Sequence, residues 1–147
     1  MNIDEFNEFA EKAISKNARL FSLSNPALPS DATEIKKLEH RLGFSLPDDY
    51  KAFLYQFGGG DFGLTNIFCA DQGNEWYLAK KVEELAGILP KGFVPFSDDH
   101  LGGFYGFKTD QPKFERNIFY WNSDGGESLT EFHDIFEFVA KYAFRPA

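Results

Sequence analysis

The sequence predicts one α+β domain: a central, mainly antiparallel sheet with flanking N-terminal and C-terminal helices. Three observations carry that prediction. Up to about residue 60, apolar side chains recur at helical spacing behind residues that cap helices. From Phe93 onward, turn residues cut the chain into short runs rich in Phe and Tyr. The length, 147 residues, is that of one ordinary core. With 18 Phe, 6 Tyr and 2 Trp, that core is expected to be packed largely by rings.

The first helix is expected over residues 2–16, with Ile3, Phe6, Ala10, Ala13 and Ile14 on one side and Asp4, Glu5 and Glu8 near the positive end of the dipole. Two prolines between residues 23 and 29 mark a loop. Asp31 and Glu34 have capping-box spacing, so a second helix runs through Ile35, Leu38 and Leu42 to a left-handed cap at Gly43. Leu46-Pro47-Asp48-Asp49-Tyr50 opens a third, whose core face is Tyr50, Phe53, Leu54 and Phe57. Gly58-Gly59-Gly60 ends it. A phosphate loop would need Gly-Lys-Ser/Thr after the glycines and a strand before them, so the triple glycine reads as a turn.

Residues 62–70 are expected to form a strand of the main sheet, and residues 75–86 a helix. Four strands follow at 93–97, 103–109, 117–122 and 127–132. They are separated by turn signals at 97–103, at Asp110-Gln111-Pro112 and at Ser123-Asp124-Gly125-Gly126. Short strands joined by short turns imply an antiparallel meander with the helices over one face. A last helix starts at Asp134, places Ile135, Phe138, Val139 and Tyr142 on one face, and stops before Pro146.

Charge and composition exclude several function classes. The net charge is -8, without a cluster of Lys and Arg, so nucleic acid and anionic membrane are poor partners and a basic protein is a good one. The acidic N-terminus and the lack of a long apolar run predict a cytoplasmic protein. The lone Cys69, in an apolar run, is expected to be buried and inert.

The nearest approach to an acid/base or metal site is Asp98-Asp99-His100, but no second ligand pair accompanies it, and His40 and His133 stand alone. No Gly-x-Ser-x-Gly elbow places a nucleophile. Asp124 and Glu127 could pair as glycosidase carboxylates, yet the Asp-Gly turn accounts for the same residues. No catalytic centre, metal or cofactor is therefore expected. Strand aromatics left on the outer face, Tyr105, Tyr120 or Trp121, are candidate protein-interface anchors. The predicted partner-binding residues are Asp98, Asp99, Tyr105, Trp121, Asp124 and Glu127.

Three stretches carry a family resemblance. They are Leu42-Gly43-Phe44 with Leu46-Pro47-Asp48-Asp49-Tyr50 through Phe53-Leu54 and the glycine turn; Phe93-Val94-Pro95-Phe96 with Gly102-Gly103-Phe104-Tyr105-Gly106-Phe107; and Ile118-Phe119-Tyr120-Trp121 with Asp134-Ile135-Phe136-Glu137-Phe138-Val139. In this order they resemble the SUKH superfamily, the Smi/Knr-type domain family, over residues 31–143. Asp134 departs from the Ser that often starts the last helix there, but keeps the cap. The resemblance implies an α+β fold and a role in binding a cognate toxin protein as an immunity protein, or alternatively as a regulatory interaction scaffold. It supplies no shared catalytic residue. The family's recurrent positions fall on Leu46, Pro47, Tyr50, Phe53, Leu54, Gly59, Gly103 and Trp121, mostly in packing and turn roles.

Overall fold

The computed structural model describes residues 1–22, 26–110 and 117–144. The start of the expected loop at 23–25, the turn residues Gln111 and Pro112, and the stop at Pro146 lie outside them. Helix α1 (Ile3–Lys16) is capped by Asn2, whose side chain accepts from Glu5 N, and buries Phe6 and Ala10. A short helix, α2 (Ala18–Ser22), follows between the expected first helix and the expected loop. Helix α3 (Ala32–Leu42) has the complete Asp31–Glu34 capping box and ends on Gly43 at φ 85°. Helix α4 (Asp48–Phe57) turns Tyr50, Phe53 and Leu54 inward.

The triple glycine is a site of close approach. A Cβ on Gly58 would stand 2.3 Å from the carbonyl oxygens of both Ala27 and Leu28. Glycine lets the 26–28 segment lie directly against this turn, where Ala27 N donates to Gly59 O at 2.8 Å.

Residues 62–70 do not form one strand of the main sheet. They fold back at Gly63 and Leu64 into a hairpin of β1 (Gly60–Phe62) and β2 (Thr65–Ile67), a separate two-stranded sheet. The helix expected at 75–86 is also shorter, α5 (Leu78–Glu84). Its expected first turn is diverted by side-chain caps: Asp71 Oδ1 accepts from Gly73 N and Asn74 Oδ1 from Trp76 N, each at 2.9 Å.

The main sheet is the expected meander, in the order β3 (Phe93–Asp98), β4 (Gly103–Lys108), β5 (Phe119–Asn122), β6 (Gly126–Leu129), all antiparallel. Cross-strand partners share a face. Val94 pairs with Phe107, and Tyr105 with Tyr120, on the side that meets the helices. The register slips between Pro95 and Ser97. This bulge lets both Phe96 and Ser97 turn toward the helix side, where each is 1% exposed.

Helix α6 (Ile135–Tyr142), capped by Asp134, closes the core. The core is aromatic, as its composition requires. Phe6 packs on Phe53, Phe57 and Phe136 at centroid distances of 6.0, 5.3 and 5.2 Å. On the sheet, Tyr50 meets Phe96 and Phe107 at 6.1 and 5.9 Å, and Phe96 meets Phe138 at 5.1 Å. Among the described residues no helix is long and apolar enough to cross a membrane.

Candidate protein-binding site

At the end of β3, carboxylates and amides organise the chain. The bulge brings Asp98 beside the β1–β2 hairpin, where buried Asn66 acts as a substitute strand. Its amide nitrogen donates to Asp98 O at 2.8 Å and its oxygen accepts from Asp98 N at 2.9 Å. The Asp98 carboxylate accepts from His100 N at 2.7 Å. Asp99 Oδ1 accepts from Leu101 N and Gly103 N, at 2.7 and 2.8 Å. The short polar side chains thus supply the acceptors that the turning backbone lacks, and His100 takes φ 63°.

Asp99 Oδ2 also accepts from Tyr120 OH at 2.5 Å. Burial pushes the Asp99 carboxyl up, but the bonds from Tyr120, Leu101 and Gly103 together outweigh it and hold it below the ordinary aspartate value. The Tyr120 phenol is raised by the same bond, and further by burial. Burial, then the hydroxyl contact with Tyr142, raises the Tyr105 phenol. The Tyr105 ring lies 4.8 Å from Tyr120, 4.7 Å from Phe138 and 5.6 Å from Tyr142.

A groove of about 220 Å³ opens between this loop, the hairpin and the end of α6. Leu64, Tyr105 and Tyr142 form apolar walls, Asn66 and Ser97 the floor, and Asp98, Asp99 and His100 one rim. Three of the six residues expected at the binding surface, Asp98, Asp99 and Tyr105, therefore meet here.

Trp121, Asp124 and Glu127 do not line the groove. Tyr105, expected as an outer-face anchor, points to the helix side, because it pairs with Tyr120 and packs on Phe138. Trp121 is on the outer face, opposite Phe104 and Glu127, but only 9% exposed. Glu127 is ion-paired with Lys108 at 2.8 Å. Asp124 is exposed in the β5–β6 turn. The pairing of Gly103 with Asn122 puts that turn at the same sheet end as the 98–103 loop.

Contributors not anticipated from the sequence include Asn66, Leu64 (54% exposed) and the exposed Tyr142. Leu101, 89% exposed in the adjoining loop, is not one of the lining residues. The roles of Asn66 and Leu64 depend on the hairpin, which residue spacing did not reveal. Tyr142 reads as a core position because it sits one turn after Phe138.

Among the described residues no group of three or more His, Cys, Asp or Glu is placed to hold a metal. The carboxylates of Asp98 and Asp99 are oriented by backbone N–H groups, and Cys69 is fully buried with its thiol pushed up to about 11, by burial first.

Seventeen solved chains match this structure. One, a crystal structure of a protein from Pseudomonas syringae pv. tomato, aligns with a TM-score of 0.67 over 89% of this chain and 96% of that one. At 16% identity that likeness establishes the fold alone. No curated protein matches the chain. The family model described as SMI1-KNR4 cell-wall, SUKH_6, matches residues 32–139, from the start of α3 into α6. Spanning the α3–α4 unit, the hairpin, the meander and most of α6, that match shows that the chain belongs to the SUKH_6 family of SMI1-KNR4 domains.

Proposed function

We propose that this chain is a cytoplasmic, non-catalytic immunity protein that binds and neutralises a basic toxin domain, such as a nuclease. The family is one of protein-interaction modules. The observation that carries the finer reading is the groove, in which carboxylates and tyrosines from separate elements face one opening. A toxin that acts on a polyanion is itself basic, and the net charge of -8 steers it toward this protein. The proposed contacts centre on Asp98, Asp99 and Tyr105, with Asp124 at the same sheet end. Trp121 and Glu127 would contribute only from the outer face.

Co-expression tests the reading. A toxin encoded beside this gene should kill cells that lack the protein and spare cells that make it. Equal killing in both defeats the proposal. Replacing Asp98 with Asn, which keeps an acceptor for His100 N, and Asp124 with Lys should abolish protection while the protein stays folded. Asp99 is left out of that variant because its carboxylate holds the loop together.

The family description, cell-wall, favours one second reading, a regulatory interaction scaffold. It predicts several weak partners recovered with the protein and no dedicated toxin neighbour.

A further inference from the structure

We propose that the groove between Leu64, Tyr105 and Tyr142 receives one arginine side chain of the partner, whose guanidinium pairs with Asp98. This rests on the binding reading above and specifies the partner's chemistry at that site. The space, about 220 Å³, suits one long side chain and is too small for a helix or a strand.

The groove's surroundings select the charge. Among its lining residues there is neither Lys nor Arg, whereas two carboxylates stand on its rim. Asp99 is held ionised by its three hydrogen-bond donors. Asp98 accepts from His100 N on Oδ1, and a carboxylate so engaged retains acceptor sites on both oxygens. An anionic ligand would meet uncompensated repulsion there. A purely apolar one would leave the carboxylates desolvated without a partner.

The walls select arginine over lysine. The Tyr105 and Tyr142 rings line the groove packed on each other, centroids 5.6 Å apart and tilted by 43°, and Tyr142 is the exposed one of the two. A planar guanidinium can lie on a tyrosine face while its edge forms two parallel bonds to a carboxylate; an ammonium is a hydrated point charge that does neither well. The exposed side chain of Leu64 covers the aliphatic stem. The rim is also built to wait in position, since Asn66 and the loop N–H groups fix Asp98 and Asp99 before any partner arrives.

The test is an NMR titration of the full-length ¹⁵N-labelled protein with N-acetyl-arginine amide, and in parallel with the uncharged analogue N-acetyl-citrulline amide. Arginine should shift the amides of Leu64, Asn66, Asp98 to Gly103 and Tyr142 saturably. Citrulline should bind about tenfold more weakly or worse, as expected for loss of a charge-assisted bond. Asp98→Asn, which keeps an acceptor for His100 N, should weaken arginine to the same degree, and Glu8→Gln on exposed α1 should not. Equal binding of the two probes, shifts scattered over other acidic surface, or an unaffected Asp98→Asn variant overturns the assignment. Protection by co-expression separates the two levels. If arginine occupies the groove but no neighbouring toxin is neutralised, the immunity reading fails and the groove assignment stands. If protection survives in an Asp98→Asn, Tyr142→Ala double variant, the assignment fails and the immunity reading stands.

Discussion

Tyr50 shows how a single side chain can serve packing and polarity together. Its ring is 1% exposed, lies between Phe96 and Phe107, and its hydroxyl donates to Phe68 O at 2.5 Å. Burial drives its phenol well above the ordinary value, so it remains a donor. Tyr50→Phe should cost about 1–3 kcal/mol, because the Phe68 carbonyl loses its buried partner while the ring contacts persist. Urea denaturation would show this as a lower midpoint at unchanged slope; an unmoved midpoint contradicts it. Cys69 illustrates the opposite case, a reactive atom made inert. Fully buried, with its thiol pushed up to about 11, it should resist an aromatic disulfide reagent at pH 8 in the native protein and react once in urea. Rapid modification of the native protein would refute this.

At the scale of an element, the 98–103 loop is held by side chains where a longer strand would use a ladder. A Cβ on Gly103 would stand 2.0 Å from the Tyr120 hydroxyl and 2.5 Å from Asp99 Oδ2, so only glycine permits their bond. Gly103→Ala should therefore lower the melting temperature, by a cost of about 1–3 kcal/mol, and speed amide exchange at Leu101 and Gly103. Exchange at wild-type rates would mean the Asp99–Tyr120 bond does not organise the loop. The same bond gives the loop a pH dependence. Because the folded Asp99 carboxyl lies below its unfolded value, its stabilisation is complete above that unfolded value, about pH 4, and is lost as pH falls through the depressed folded one. Amide shifts of Leu101 and Gly103 followed by NMR should hold constant from neutral pH to about 4 and move only in stronger acid. Titration of these amides near neutral pH would point to another group.

At the scale of the whole molecule, one ring network joins α1, α4 and α6 to the small sheet. Phe53 touches Phe6 from α1, Phe57 within α4 and Phe62 from β1, at 6.0, 5.3 and 5.3 Å. Phe53→Ala should cost about 3–5 kcal/mol, a large share of a domain stability that is typically about 5–15 kcal/mol. Thermal unfolding followed by near-ultraviolet circular dichroism should show the whole domain melting at a lower temperature, in one transition. A loss confined to α1 would show that the helices and the sheet are separate units.

The sequence by itself determined the helices with caps, the four-stranded meander and the aromatic core. Each depends on residues close in the chain: Asp31 with Glu34 and Gly43 with Leu42 for α3, and Asp134 with Glu137 for α6. It also supplied the family resemblance, since the ordered motifs survive as text. Tertiary structure alone decided that residues 62–70 fold into a hairpin outside the main sheet, because Asn66 bonds to Asp98 across 32 residues rather than to a local neighbour. It decided the face of Tyr105, since a strand's alternation fixes which residues share a side and only packing against Phe138 fixes which side is inward. And it decided which acidic residues converge. Asp98 and Asp99 were visible as a pair, but their groove has its walls on the β1–β2 hairpin, β4 and α6, and the proximity of such distant segments is a property of the packed chain.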